Sequence, residues 1–247
     1  MLQAPKLHED PTDLARDYWI ERARTHPGVQ AVHPNLRWGG YHAWTRRMLQ
    51  EWTLDRLRAE RSRYLRCVDL GCGFGDWTEQ FAQIAGEVHG CDLSADFVAQ
   101  TRARVPSARI EHAEIQSYRL PRDVDLVYVG AVLMYLPDDD VLGVLRRIRR
   151  VITPTALVIV RDYCTFNLGR PNTVARGGYY SVHRRPEHVR ALCERAGLRF
   201  AEARSSPSIY AEVMARGIRG LRWPLRALWR LATLPWLRAS HTFVFRA

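Results

Sequence analysis

The sequence predicts an α/β fold, in which a doubly wound and mostly parallel sheet follows a helical N-terminal extension. Short apolar runs of strand length alternate with segments whose apolar residues recur at helical spacing. A glycine-rich turn joins the first of these runs to the helix after it. The chain has 247 residues, enough to bury the core of one such domain. Alternation of this kind is typical of βαβ units, whose strands lie parallel.

The predicted elements follow one another in a regular order. Strands are predicted at residues 67–70, 87–91, 108–111, 125–129 and 156–161. Helices are predicted near residues 76–85, 94–104 and 138–151. The third helix has aspartates at its positive end and arginines at its negative end, which stabilises it electrostatically. A further helix at 188–196, closed by Gly197, and strands at 198–203 and 240–246 complete the pattern.

The glycine turn comprises Gly71, Gly73 and Gly75, directly after the apolar run that ends at Leu70. Glycine accepts positive φ and lets a ligand approach without meeting a Cβ, so this turn indicates a bound nucleotide-like ligand. The spacing is GxGxG, whereas dinucleotide folds prefer GxGxxG with a pyrophosphate at the helix N-terminus. Asp69, just before the turn, disfavours a phosphate and favours a cationic ligand.

A second acid, Asp92, ends the next predicted strand. It follows Gly71 by about 20 residues, the usual separation for a carboxylate that binds a ribose hydroxyl pair. We therefore expect Asp92 to be the ribose ligand.

These segments resemble the class I S-adenosylmethionine-dependent methyltransferases, within the Rossmann-like methyltransferase superfamily. The stretch VDLGCGFG at 68–75 is similar to the first motif of that family, and CDLS at 91–94 to its ribose-binding segment. Further similarity extends over roughly residues 60–203. The resemblance implies a seven-stranded sheet with an antiparallel last strand, and S-adenosyl-L-methionine as cofactor. It implies these cofactor-binding residues: Asp69, Gly71, Cys72, Gly73, Gly75, Asp92, Leu93, Ala113, Glu114 and Ala131.

The residue expected to contact adenine departs from the family pattern in this sequence. In the family an acid or amide often holds the adenine edge at the position of His112. We expect that contact to pass to Glu114 or to the backbone of Ala113. Cys72 lies inside the glycine turn, where a small side chain is needed, so we interpret it as a packing residue.

Methyl transfer is an in-line displacement that requires an oriented, dry pocket more than side-chain chemistry. Ligands of open α/β sheets bind beyond the carboxyl ends of the strands, so Tyr135, Asp162 and Tyr163 are expected to face the acceptor. Asp162 and Tyr135 are the catalytic candidates, with Asp162 as base or substrate anchor. The alternative for Asp162 is an ion pair with a neighbouring arginine such as Arg161 or Arg170.

The N-terminal 60 residues are interpreted as a helical lid, and residues 61–247 as the methyltransferase domain. The lid segment is rich in aromatic residues, including Tyr18 and Trp19. Trp38 and Tyr41 flank a Gly-Gly pair and are expected to cover cofactor and acceptor. Packing of these rings on the edge of the sheet is the alternative.

An insertion is predicted at about 204–239, between the last two strands. Within 221–238, leucines and tryptophans form a stripe beside arginines on a helix between Pro224 and Pro235. A basic amphipathic helix of this kind can lie on an anionic membrane or bind a lipid-linked acceptor. Packing against the domain or a dimer partner is the alternative.

Composition narrows the remaining possibilities. The formal net charge is +11, which can attract polyanions, and Lys6 is the only lysine. The five cysteines form no CxxC pair, so neither a disulfide framework nor a metal site is expected. No apolar run approaches the roughly 20 residues that span a bilayer. We expect a cytoplasmic protein, with peripheral membrane contact as a further possibility.

The expected activity is transfer of a methyl group to an oxygen or nitrogen of a small or lipid-linked metabolite. The loop at 130–136 lacks the Asn/Asp-Pro-Pro-Tyr box of enzymes that methylate base amino groups, which disfavours nucleic-acid substrates. Three alternatives remain open. They are an RNA-modifying or RNA-binding protein, a protein N-terminal amine methyltransferase, and a scaffold without catalysis.

Overall fold

The structure is a computed structural model. It describes residues 11–26, 28–32, 39–164, 172–173, 180–206 and 239–247. Three helices come first along the chain: α1 (Pro11–Thr25), α2 (Val29–Val32) and α3 (Gly39–Glu60). The domain follows, with strands and helices in alternation: β1 (Tyr64–Leu70), α4 (Asp76–Ala82), β2 (Ala85–Asp92), α5 (Ala95–Arg104), β3 (Arg109–His112), β4 (Val124–Gly130), α6 (Asp138–Val151), β5 (Ile152–Cys164), β6 (Asn172–Thr173), β7 (Val182–His183), α7 (Pro186–Arg195), β8 (Arg199–Ser206) and β9 (Ala239–Arg246).

Seven of these strands form one sheet, in the order β3-β2-β1-β4-β5-β9-β8. Strands β1 to β5 pair in parallel. Strand β9 pairs antiparallel with both of its neighbours, β5 and β8. The carboxyl ends of the parallel strands therefore lie along one edge, where an open α/β sheet binds its ligand. The predicted fold class, with an antiparallel last strand and an N-terminal helical extension, is confirmed.

Helices cover both faces of the sheet because the strands carry apolar side chains on both sides. On one face, side chains such as Val68, Val127 and Val158 pack against α6 and α7. On the other face, Cys67, Leu126 and Leu157 pack with Leu57 of α3 and Phe81 of α4. Alternate residues of each strand thus enter different cores, as the pleat requires.

Local signals set the ends of the helices. The Ser94 hydroxyl accepts the Phe97 N–H at the start of α5. Helix α6 begins with Asp138, Asp139 and Asp140 and carries arginines in its last turn, which matches its dipole. Gly197 follows α7 with a φ of 87°, a backbone conformation that glycine adopts without strain.

Several boundaries differ from those that the sequence predicts. Helix α4 ends at Ala82, and β2 begins at Ala85. Strand β5 runs to Cys164, beyond the predicted end at 161, because its last residues pair with β9. None of the described helices combines the length and the apolar composition that a membrane span needs. The predicted basic helix at 221–238 lies outside the described residues.

Candidate cofactor site

The glycine turn between β1 and α4 has left-handed backbone at all three glycines. The φ angles of Gly71, Gly73 and Gly75 are 72°, 55° and 83°. A Cβ on Gly71 would overlap the Val132 side chain, and one on Gly75 would lie 2.9 Å from Thr101 Cγ2. A Cβ on Gly73 would meet no atom within 4 Å. Two glycines are therefore required by the protein's own packing, whereas Gly73 leaves an open approach to the backbone.

Hydrogen bonds hold this turn on the end of β2. The backbone N–H groups of Gly71 and Cys72 both donate to the Cys91 carbonyl, at 2.9 and 3.1 Å. The Thr101 hydroxyl of α5 donates to the Gly73 carbonyl at 2.6 Å. The Cys72 side chain is buried among Val98 and Ile110, and burial raises the pKa of its thiol. These contacts agree with a packing role for Cys72.

Asp92, at the end of β2, is bound to the turn from the other side. Its carboxylate accepts the Gly73 N–H at 2.9 Å and the Ser94 N–H at 3.0 Å. Burial raises the pKa of Asp92 to about 6, and the two backbone donors act in the opposite direction. The residue is buried, with 7% of its surface exposed.

Asp69 lies deeper, beneath the turn. Its carboxylate accepts the Thr78 hydroxyl of α4 at 2.7 Å. Burial raises the pKa of Asp69 to about 7, and the charge of Asp92 acts in the same direction. The structure thus brings the two predicted acids together, with Asp92 nearer to the surface.

The segment after β3 lies beside Asp92. The Ala113 N–H donates to the Asp92 carbonyl at 3.0 Å, and a ring nitrogen of His112 lies 3.0 Å from the Leu93 carbonyl. Glu114 forms an ion pair with Arg16 of α1 at 2.8 Å. The N-terminal extension therefore reaches the segment that was predicted to hold adenine.

The loop after β4 lies on the other side of the glycine turn, with Val132 beside Gly71. The space between this loop and the segment after β3 is called the cleft below. Ala131 has a φ of 58°, and its N–H donates to the Arg161 carbonyl at 2.7 Å. A short 3₁₀ turn, Leu133–Tyr135, follows. The Tyr135 ring lies edge-on to the Trp19 ring of α1, with centroids 5.5 Å apart.

Asp162 and Tyr163 lie near the end of β5. Asp162 is 1% exposed, and its Oδ1 accepts the Tyr163 N–H at 2.9 Å. Its Oδ2 is buried and has no hydrogen-bond partner among the described residues. Burial raises the pKa of Asp162 to about 7, whereas the charge of Arg184 acts in the opposite direction. The Tyr163 ring lies under the Arg161 guanidinium, 5.7 Å from it.

Arg184 is a buried residue that the sequence analysis did not single out. Its Nε bonds Asp138 at 2.7 Å, and its two terminal nitrogens donate to the carbonyls of Leu133 and Leu136 at 2.8 and 2.6 Å. This guanidinium therefore fixes the position of the loop after β4 through hydrogen bonds to its backbone carbonyls. No local motif marks it, because its partners lie about 50 residues away in an arginine-rich chain.

The contacts of the two predicted lid residues, Trp38 and Tyr41, are not described by the structure. Trp38 lies outside the described residues. Tyr41 lies within α3, but its side chain is not among those described. Among the described residues of the N-terminal extension, Trp19 of helix α1 contacts Tyr135 in the loop after β4.

Solved structures share this architecture over nearly the whole chain. A SAM-dependent methyltransferase from Leishmania major superposes with a TM-score of 0.68 at 15% identity, covering 97% of this chain and 87% of that one. The N-methyltransferase NodS from Bradyrhizobium japonicum, in complex with S-adenosyl-L-homocysteine, gives 0.65 at 16% identity, covering 96% and 98%. The protein has the fold of the class I, Rossmann-like methyltransferases, as the sequence predicts.

Sequence comparisons agree with this class. Residues 67–155 match a family model described as a methyltransferase domain. Trans-aconitate 2-methyltransferase from Rhizobium etli is 28% identical over 160 residues, which are 64% of this chain and 59% of that protein. The enzyme of the same name from Deinococcus radiodurans is 42% identical over 88 residues, or 34% and 33%. The chain thus matches less than two thirds of the length of these relatives.

Proposed function

We propose that the protein is an S-adenosylmethionine-dependent methyltransferase that acts on an oxygen or nitrogen of a small metabolite. One observation carries this proposal: the Asp92 carboxylate accepts the N–H of Gly73 in the glycine turn, so the acid and the turn lie side by side. The relatives named trans-aconitate 2-methyltransferase support a small-molecule acceptor.

The residues at the carboxyl ends of β1 to β3 fit the cofactor. Asp92 has the position and the free lone pairs to accept the ribose hydroxyls, and Gly73 leaves space beside the backbone. Ala113 and Glu114 follow β3, next to Asp92, where the adenine is expected. When bound, S-adenosyl-L-methionine would supply an activated methyl group, so the protein has mainly to hold and orient.

Asp162 is the proposed base or substrate anchor on the acceptor side. A carboxylate with a pKa of about 7 can accept a proton near neutral pH, as an oxygen or nitrogen acceptor requires. Its unpartnered Oδ2 is the atom available for that contact. Tyr135, in the 3₁₀ turn after β4, and Tyr163, next to Asp162 in β5, are the proposed walls of the acceptor pocket.

The cofactor assignment is tested by calorimetry with S-adenosyl-L-homocysteine. We expect Asp92→Ala to weaken binding at least about tenfold, the loss typical of a hydrogen-bonded charge. The matched control is Asp96→Ala, which removes an exposed carboxylate from the first turn of α5. Equal affinity of Asp92→Ala and wild type would overturn the assignment.

The acceptor class is tested by labelled methyl transfer. The protein is incubated with methyl-labelled S-adenosyl-L-methionine and fractionated cell extract, and separately with small carboxylic acids that include trans-aconitate. Label in a polar small-molecule fraction is expected. Label confined to lipid, protein or RNA would contradict the proposed acceptor class, while transfer to no fraction would contradict the enzyme itself.

A further inference from the structure

Helix α1 contacts three separate segments that border the cofactor cleft. Trp19 packs against a buried cluster that includes Phe74 of the glycine turn and Phe97 of α5. The same ring contacts Tyr135 in the loop after β4, and Arg16 pairs with Glu114 after β3. The extension therefore spans the cleft from one side to the other.

The strand order assigns each part of the proposed cofactor to a neighbouring strand. Because β3, β2, β1 and β4 are adjacent in that order, adenine beside β3 and ribose on Asp92 of β2 leave the amino-acid end near the turn after β1. Trp19 contacts the loop after β4 through Tyr135, and it packs against the cluster that contains Phe74 of this turn. Trp19 thus lies at the amino-acid end.

Little backbone in the turn is left to bind a carboxylate there. The N–H groups of Gly71 and Cys72 donate to Cys91, that of Gly73 donates to Asp92, and that of Gly75 donates to the Cys72 carbonyl. These four groups are already used within the protein. A carboxylate at this end therefore has few backbone donors in the turn, and a side-chain donor would add to them.

The Trp19 indole supplies a donor that the described protein does not use. Its Nε1 is buried from solvent and has no hydrogen-bond partner among the described residues. A tryptophan N–H can only donate, and a buried donor without an acceptor is costly. A ligand oxygen beside the turn would remove that cost.

We infer that Trp19 is a cofactor-binding residue whose indole N–H donates to the carboxylate at the amino-acid end of S-adenosylmethionine. This inference rests on the proposed function. It also gives α1 a direct part in binding, so the N-terminal extension contributes a ligand contact as well as cover.

Two probes separate this contact from general damage to the site. S-adenosyl-L-homocysteine carries the amino-acid end, and 5′-methylthioadenosine lacks it. We expect Trp19→Phe, which keeps an aromatic ring but removes the N–H, to weaken S-adenosyl-L-homocysteine about tenfold. Affinity for 5′-methylthioadenosine should change less than about twofold. The matched control is Trp52→Phe in α3, whose partly buried ring packs against the core that contains Leu57 and Phe81.

Calorimetry gives distinguishable outcomes. Wild type that binds neither probe would overturn the proposed function, and this inference with it. Wild type that binds both, with Trp19→Phe weakening neither probe or both equally, would overturn the inference alone. The indole ¹⁵N–¹H signal of wild-type Trp19, assigned from the Trp19→Phe spectrum, should shift with S-adenosyl-L-homocysteine and stay in place with 5′-methylthioadenosine. An unchanged signal with both would contradict the contact without requiring the variant to be fully stable.

Discussion

The backbone N–H of Gly73 donates to the Asp92 carboxylate at 2.9 Å, which joins the turn after β1 to the end of β2. The turn and the acid are therefore held in one geometry by the protein itself. A ligand that needs both does not have to order either of them on binding.

The three glycines of the turn should respond differently to the same substitution. Gly71→Ala places a Cβ against Val132 at positive φ, and we expect it to lower the free energy of unfolding by about 2 kcal/mol or more. Gly73→Ala meets no neighbour and should cost about 1 kcal/mol from its left-handed backbone. It should nevertheless weaken S-adenosyl-L-homocysteine at least about tenfold, because its methyl group enters the ligand's space. Urea unfolding and calorimetry measure the two effects. Native affinity in Gly73→Ala would place the ligand elsewhere.

Asp162 should make stability depend on pH. Burial raises its folded-state pKa to about 7, above the unfolded value near 4. The folded protein therefore binds this proton more tightly, and its stabilising effect is present below about pH 4 and is lost as pH rises to about 7. Asp162→Asn removes the titration. Wild type loses this stabilisation as the pH rises, and the variant does not. The difference in unfolding free energy, variant minus wild type, should therefore be larger at pH 8 than at pH 5 by at least about 1 kcal/mol.

Urea unfolding at the two pH values measures this difference. Asp69 and Asp92 also have raised pKa values, of about 7 and about 6, but both titrate in wild type and variant alike. Asp96→Asn, at an exposed position of α5, is the matched control. A pH-independent difference between Asp162→Asn and wild type would show that the Asp162 carboxylate is not desolvated in the folded protein.

Arg184 should stabilise the folded protein strongly, because it binds the loop after β4. Arg184→Met leaves the carbonyls of Leu133 and Leu136 and the Asp138 carboxylate without their donor. Removing one partner of a buried charge network typically costs about 3 kcal/mol or more, and we expect a loss of that size in unfolding free energy. Arg190→Met is the control, because Arg190 is exposed and pairs with Glu194 within α7. A loss as small as that of the control would mean that the loop is held by other contacts.

Much of the site could be predicted because its signals are local. Gly71, Gly73 and Gly75 have positive φ, as glycines in a tight ligand turn should. The apolar runs predicted the strands, and their parallel pairing brings the ends of β1 and β2 together. Helix α1 could be predicted only as part of an extension. Its contacts with Phe74, Glu114 and Tyr135 join segments far apart in the chain, and periodicity carries no information about them.

By itself, the sequence determined the class of fold, the glycine turn and the acid at the end of β2, because backbone conformation and strand patterning depend on neighbouring residues. Only the tertiary structure decided which distant side chains meet at the cleft. Trp19 reaches Tyr135, and Arg184 reaches Leu133 across 51 residues of sequence. Such contacts depend on how helices pack and on which polar atoms are buried together, and those are properties of the assembled core.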